Sequence, residues 1–157
     1  TQIYFLQSRL TQKLELQQLE KSLILDRTIY EDAFIFARNL HQSGIMTERD
    51  YDTYLRLFRG IKEMIRKPDL LIYLKASIPT LIKQIGNRGR EYESNISLKY
   101  LNDLNGHYEE WIGNYEEGEL LILDGDKLDL INSPEDLGYI YQRIQVKLGN
   151  NLFGSTS

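Results

Sequence analysis

The chain contains no cysteine and only two histidines among its 157 residues. The absence of cysteine excludes disulfide bonds and thiolate chemistry, and it fits a reducing compartment, so we expect a cytoplasmic protein. His41 and His107 stand far apart in the sequence and have no cysteine nearby. We therefore expect no zinc site, and we predict that both histidines lie at the surface near helix ends.

Long apolar runs and an excess of basic residues are also lacking. No run approaches the roughly 20 residues that span a bilayer, and the first residues lack the basic and apolar regions of a signal peptide. The net charge is −4 and the basic residues are scattered, so neither a membrane nor a nucleic-acid polymer is an expected partner. The length fits a single domain over residues 1–157, with a tail at 149–157 that we expect to be disordered.

Three short apolar runs predict the strands of a parallel sheet. Each run is continuous rather than alternating, which is typical of strands that are covered on both faces. The runs are Leu23–Leu25, Leu70–Leu74 and Leu120–Leu123. Apolar residues at helical spacing surround these runs, so the pattern predicts an α/β fold that is mostly helical. One apolar stripe runs from Ile29 to Leu40 and is closed by Gly44, and another runs from Tyr51 to Ile61 after a capping pair, Thr47 and Asp50. In such folds the ligand binds at the carboxyl ends of the strands.

Asp26, Arg27 and Thr28 directly follow the first predicted strand. The guanidinium of Arg27 offers a rigid fork of donors to phosphate oxygens. Asp26 beside it could hold a magnesium-bound water or orient the arginine. The same residues would also suit an ion pair at a strand end, and taken alone they leave both interpretations open.

Polar residues on two predicted helices suit the recognition of a nucleobase. Gln2 and Arg9 are seven residues apart and therefore share one face of a helix. Asp32 lies early in the helix that begins near Ile29, on the face opposite its apolar stripe. Each also has a simpler interpretation, because a solvated face is common and an acid in the first turn favours the helix dipole.

Two arginines, Arg88 and Arg90, flank Gly89 just after an amphipathic helical pattern. The glycine permits a tight turn, and both guanidinium groups could then close on a polyphosphate. Glu91 and Glu93 would be unusual in a simple anion site. A surface loop of mixed charge is therefore the alternative interpretation of this segment.

Together these segments resemble the deoxyribonucleoside kinase family. QIYFLQSR resembles the substrate helix, in which Gln is followed seven residues later by Arg. DRTIYEDAFIFARNL resembles the Asp/Glu-Arg-Ser motif and the helix after it, and RGREYE resembles the arginine-rich lid, expected at 84–94. The resemblance extends to about Leu148 and is greatest to bacterial purine-type members, deoxyadenosine kinases especially. It implies a P-loop kinase-type three-layer fold with a parallel sheet.

The resemblance implies an ATP-dependent phosphorylation of the 5′-hydroxyl of a deoxyribonucleoside, with deoxyadenosine as the expected substrate in nucleotide salvage. Gln2 would hydrogen-bond the base, and Arg9 and Asp32 would complete the polar wall around it. Tyr30 would pack near the base, and Glu93 would bind the sugar 3′-hydroxyl.

The resemblance assigns further residues to the phosphates. Arg27 would lie by the attacking hydroxyl, and Asp26 would serve a Mg²⁺ site. Arg88 and Arg90 would stabilise charge on the transferring phosphoryl group. The loop that contains Asp124 and Asp126 would lie near the adenine of ATP.

The sequence departs from the family in two places. Nothing in it matches G-x-x-x-x-G-K-[ST], so the N-terminal strand and the phosphate-binding loop are missing from it. The resemblance places both, together with the Glu that acts as general base, ahead of Gln2. Residues 1–157 alone are therefore expected to be inactive and poorly folded as a monomer. Gln84 stands where many members have another Arg, so the lid clamp is expected to be weaker or to use another cation.

Two alternative functions remain open at this point. A nucleoside monophosphate kinase similar to thymidylate kinase also carries an Asp-Arg motif at a strand end. A noncatalytic helical fragment that dimerises through the faces of residues Ile29–Leu40 and Tyr100–Tyr115 would explain the helices without any chemistry. The resemblance itself implies a homodimer.

Overall fold

The computed structural model describes residues 2–19, 22–88 and 96–153, apart from the side chains of residues 17 and 150–153. Arg90 and Glu93 lie outside the described residues. The chain forms two compact units: the first is Thr1–Arg66 with Asp103–Gly113, and the second is Lys67–Asn102 with Asn114–Ser157. The expectation of one domain, with a disordered tail at 149–157, stays a prediction.

Helices dominate the described residues, in agreement with the sequence pattern. In chain order the elements are α1 (Gln2–Gln17), α2 (Ile29–Glu31), a π-helical segment (Asp32–Ala37), α3 (Arg38–Gln42), α4 (Glu48–Met64), β1 (Leu70–Lys75), α5 (Ile78–Arg88), α6 (Leu98–Gly113), β2 (Glu119–Asp124) and α7 (Pro134–Phe153). The described residues therefore form helices together with strands, as the predicted α/β fold class requires.

Local signals set the helix ends. The backbone N–H of Asp50 donates to Oγ1 of Thr47 over 3.2 Å, as the predicted cap at the start of α4 requires. The backbone N–H of Asp136 donates to Oγ of Ser133 over 3.2 Å at the start of α7. Gly44 follows α3 with φ +74°, a left-handed conformation that glycine adopts at little cost. The chain therefore turns here as the sequence predicts.

The helical segment from residue 29 to residue 42 departs from regular α-helix in its middle. Ile29, Ala33 and Ala37 are buried as the apolar stripe predicts, but Ile35 is also fully buried while Phe36 remains partly exposed. The π-helical turn explains the shift, because its i→i+5 bonding widens the turn and changes which side chains face inward. π-helical turns are frequent at functional sites, and this one begins at Asp32.

Aromatic side chains form much of the core of the first unit. The ring of Tyr30 packs edge-on against Phe58 with centroids 6.0 Å apart, and it stacks on Trp111 with centroids 6.5 Å apart. Leu6 of α1 and Tyr54 of α4 are also buried in this cluster. The core therefore joins α1 to the helix that follows Thr28 and to α4.

The second unit contains a parallel pair of strands, which confirms the predicted sheet type. β1 pairs with β2 in the register from Leu70 opposite Glu119 to Lys75 opposite Asp124. Leu121 and Leu123 are buried against Ile140 of α7. Burial alternates along β2, and Ile122 on its other face is 48% exposed. The expectation of strands covered on both faces is therefore wrong.

Two further predictions are wrong. Leu23–Leu25 is not a strand, and Ile24 is 95% exposed. A strand requires a ladder partner, and no described segment pairs with this one. His107 is buried with 6% exposure, whereas His41 is partly exposed near the end of α3. In the described part of the chain, no helix combines the length and the apolar character needed to cross a bilayer.

Candidate functional site

A cavity of about 210 Å³ lies within the first unit. Its lining includes Arg9 from α1 together with Asp26, Arg27 and Thr28, the three polar residues that follow the exposed apolar run. Tyr30 also contributes to the wall. The fold thus brings the arginine of the first helix to the segment that sequence reasoning assigned to phosphate.

Arg9 and Asp32 form an ion pair beside this cavity. Nε of Arg9 lies 2.5 Å from Oδ2 of Asp32, and the Asp32 side chain is only 6% exposed. Burial raises the pKa of Asp32 above its usual range, although the charges of Arg9 and Arg27 oppose that rise. Asp32 therefore does not act as a solvated first-turn acid. The pair offers one donor group and one acceptor group at a single place.

Two further polar atoms of the first unit are buried without a hydrogen-bond partner among the described residues. They are Oε1 of Gln2 and the hydroxyl of Tyr54. Gln2 stands on the same face of α1 as Arg9, and Leu6 between them is fully buried in the core that contains Tyr54. Unpaired buried polar atoms are rare, and a bound polar ligand is one way to satisfy them.

The sequence did not single out Tyr54. It belongs to the apolar stripe of α4, which predicted core packing, and its ring is indeed 1% exposed. Burial, followed by the nearby charge of Asp32, raises the pKa of the Tyr54 phenol. The hydroxyl therefore keeps its proton at neutral pH and remains available as a donor. Only the position of α4 against α1 could reveal this.

Arg27 has an unusual backbone conformation. Its φ is +66°, the one positive value among the described residues other than glycine. The side chain is exposed, and its Cζ lies 4.9 Å from the centroid of the Phe36 ring. Such conformations cost free energy in a residue with a Cβ and often occur at functional sites.

A metal site would depend on few protein ligands. In the described ranges no group of three histidine, cysteine or acidic side chains is placed to hold an ion. Mg²⁺ commonly keeps several waters and binds one or two carboxylates together with substrate phosphates. Asp26, which is exposed and lines the cavity, fits that smaller donor set.

The remaining predicted site residues that the structure describes lie in the second unit. Arg88 is exposed at the C-terminal end of α5. Asp124 pairs with Lys127 over 2.9 Å, and the hydrogen bond from Lys127 holds the pKa of Asp124 below its usual range.

Asp126 is also engaged within the second unit. Its Oδ1 accepts the backbone N–H of Ser77 over 2.9 Å, just ahead of α5. That hydrogen bond lowers the pKa of Asp126. In this structure the carboxylates of Asp124 and Asp126 therefore hold their own loop and the start of α5.

Known proteins resemble this chain along most of its length. The sequence model described as "Deoxynucleoside kinase" matches residues 1–148. The chain is 32% identical over 152 residues to the deoxyadenosine/deoxycytidine kinase of Bacillus subtilis, covering 96% of this chain and 70% of that protein. It is 40% identical over 111 residues to the deoxyadenosine kinase of Dictyostelium discoideum, covering 71% of this chain and 45% of that protein.

A solved structure supports the same relationship. The deoxyadenosine kinase from M. mycoides with bound dATP gives a TM-score of 0.76 at 29% identity, covering 92% of this chain and 72% of that chain. The chain thus spans less than half of the Dictyostelium relative's length and about seven tenths of the other two proteins.

Proposed function

The chain belongs to the deoxynucleoside kinase family, and from this premise we propose that it phosphorylates the 5′-hydroxyl of a deoxyribonucleoside with ATP as the donor. The expected substrate is a purine nucleoside, deoxyadenosine first. A homodimer in the cytoplasm that acts in nucleotide salvage would fit this proposal.

One observation carries the proposal. A single cavity joins Arg9, the partner of buried Asp32, to Arg27 and Asp26. A nucleoside has the two parts that such a site needs, since its base presents donors and acceptors and its 5′-hydroxyl must lie where the phosphates are held. The proposal therefore assigns the base to the Arg9–Asp32 end and the 5′-hydroxyl to the Arg27 end.

The base is recognised by polar groups that are already buried when no base is bound. Gln2 offers a carbonyl oxygen that has no partner among the described residues, and the Arg9–Asp32 pair offers one donor and one acceptor. Leaving a buried group unpaired costs about 1–3 kcal/mol. A base with the wrong edge would incur that cost, so these residues discriminate among bases. Tyr30 supports them through its packing at the cavity wall.

The phosphates are bound by cations, because phosphoryl transfer depends mostly on positioning and on charge stabilisation. Arg27 binds phosphate oxygens next to the 5′-hydroxyl, and Asp26 holds Mg²⁺ through water. Arg88 and Arg90 contribute positive charge to the transferring group. Glu93 binds the 3′-hydroxyl of the sugar.

The loop after β2 takes the last of the proposed roles. It carries Asp124 and Asp126 and lies by the adenine of ATP. Because both carboxylates already hold the loop itself, the proposal gives them the task of shaping the donor site.

A binding titration tests the proposal. The protein, expressed with whatever coding sequence precedes Thr1 in its gene, is titrated calorimetrically with deoxyadenosine and with deoxythymidine monophosphate. We expect deoxyadenosine to bind and the D32N variant to weaken binding at least tenfold. The R56A variant, which loses an exposed pair with Asp52 (2.8 Å), serves as the matched control and should bind normally.

Tighter binding of the monophosphate than of deoxyadenosine would instead favour a nucleoside monophosphate kinase. Absence of binding by either compound, in a protein that is folded by circular dichroism, would favour the noncatalytic helical fragment.

A further inference from the structure

Arg27 is held in a conformation that an arginine seldom adopts. Its φ of +66° lies in the left-handed region, where the Cβ crowds the following carbonyl oxygen. Such a conformation persists only where the surrounding structure fixes it. A neighbouring group must therefore prevent the backbone of Arg27 from relaxing, and that backbone in turn directs the guanidinium.

The next residue supplies the constraint. Thr28 is extended, with φ −135° and ψ 176°, and it caps the helix that begins at Ile29. Its backbone N–H donates to Oε2 of Glu31 over 2.7 Å, and its hydroxyl donates to the same oxygen over 2.5 Å. Oγ1 of Thr28 also accepts the N–H of Tyr30 over 3.2 Å. Oε2 of Glu31 thus accepts hydrogen bonds from both donor groups of Thr28.

The bond to the Thr28 amide acts directly on Arg27. That N–H belongs to the peptide plane that joins the carbonyl carbon of Arg27 to Thr28, and a peptide plane is rigid. Fixing the direction of the N–H therefore holds one of the two peptide planes that flank the Cα of Arg27, and the backbone of Arg27 cannot relax by rotation of that plane. Glu31 is anchored in turn by the helix, in which its neighbour Tyr30 is buried.

We propose that Glu31 is a positioning residue that holds Arg27 in its left-handed conformation and thereby aims the guanidinium at the phosphates. Glu31 itself does not contact substrate in this proposal. The inference rests on the proposed function, since it takes Arg27 to be the phosphate-binding group. It goes beyond that function by assigning a task to a side chain that would otherwise serve only as a helix cap.

Two conservative variants separate geometry from charge. E31Q removes the charge but keeps an oxygen at the same reach, as in the Gln form of the capping box. E31D keeps the charge but shortens the side chain, so the carboxylate cannot reach the Thr28 amide. T47A is the matched control, because it removes a comparable cap from α4 away from Arg27.

Steady-state kinetics of deoxyadenosine phosphorylation supply the first measurement, on the protein expressed with whatever coding sequence precedes Thr1 in its gene. We expect E31D to lower kcat about tenfold, the factor that matches the free energy needed to hold the left-handed conformation. The KM for deoxyadenosine should change less than twofold. E31Q should stay within about threefold of the parent kcat, and T47A should leave kcat unchanged. A normal kcat for E31D, or a greater loss for E31Q than for E31D, would overturn the proposal.

A stability cycle tests the same contact without any activity. Glycine adopts the left-handed region freely, so R27G relieves strain only while Glu31 enforces that conformation. The change in Tm caused by R27G should therefore be more favourable in the parent protein than in the E31D background. Equal changes in the two backgrounds would refute the positioning role. If no variant and no parent protein phosphorylates a nucleoside, the proposed function fails, and this cycle still decides whether Glu31 holds Arg27.

Discussion

The ion pair between Arg9 and Asp32 yields a prediction with a distinctive pH dependence. The pair spans 2.5 Å, and the two side chains are 25% and 6% exposed. R9A leaves a carboxylate with almost no access to water, which at pH 8 should cost about 3–5 kcal/mol of unfolding free energy. D32A leaves the more exposed guanidinium unpaired and should cost less, about 1–3 kcal/mol.

The loss of unfolding free energy should depend on pH differently in R9A and in D32A. Burial already raises the pKa of Asp32 in the folded protein above its ordinary value of 3.8. R9A removes a cation that opposes this rise, so the pKa increases further. As pH falls through the folded-state pKa, the folded variant takes up a proton that the unfolded chain does not yet bind, and its stability rises. The loss in R9A should therefore shrink toward about 1–3 kcal/mol at low pH, the cost of an unpaired neutral group.

Urea denaturation at half-unit steps from pH 5 to pH 8 measures both effects in R9A, D32A and the double variant. The exposed pair of Arg56 with Asp52 is the control, since its side chains are 75% and 49% exposed and its coupling should stay below about 1 kcal/mol. A loss in R9A that is the same at every pH, or a coupling between Arg9 and Asp32 no larger than the control, would refute the reasoning.

Three further predictions concern stability. Burial lowers the pKa of His107 below its usual 6.5, so the protein should lose stability as pH falls below that value, because only the unfolded ring takes up the proton. H107Q should reduce the dependence of the unfolding free energy on pH, measured by urea denaturation. An unchanged dependence would exclude His107 as its cause. F58A should cost about 3–5 kcal/mol, since the ring is 3% exposed, whereas L57A, at a position 43% exposed, should cost under about 1 kcal/mol. D126A should lower Tm by removing the acceptor of the Ser77 amide, and D126N should retain Tm; equal losses would show that the hydrogen bond is not responsible.

Most elements of the fold could be predicted from the sequence because their signals are local. The apolar stripe of α4 and the cap at Thr47 act over three or four residues, so the helix forms where they predict it. The continuous apolar runs of β1 and β2 likewise predicted a parallel pair. The exposed run at Leu23–Leu25 shows the limit of this reasoning, because β propensity becomes a strand only when another segment supplies the ladder.

The sequence named candidate site residues but not the contacts between them. Gln2, Arg9, Asp26, Arg27 and Asp32 were named from spacing and residue type. Asp32 had two interpretations in the sequence, and its burial against Arg9 excludes a solvated carboxylate. The roles of all these residues, including those of the lid and of the loop after β2, stay predictions.

The sequence by itself determined the helix periods, the caps and the family to which the chain belongs, because these depend on residues that are near one another or on motifs in fixed order. Only the tertiary structure decided that His107 is buried, that Asp32 meets Arg9 and that Tyr54 presents a hydroxyl without a partner among the described residues. Burial and long-range pairing depend on how helices pack against one another. The residues next to a side chain in the sequence do not determine that packing.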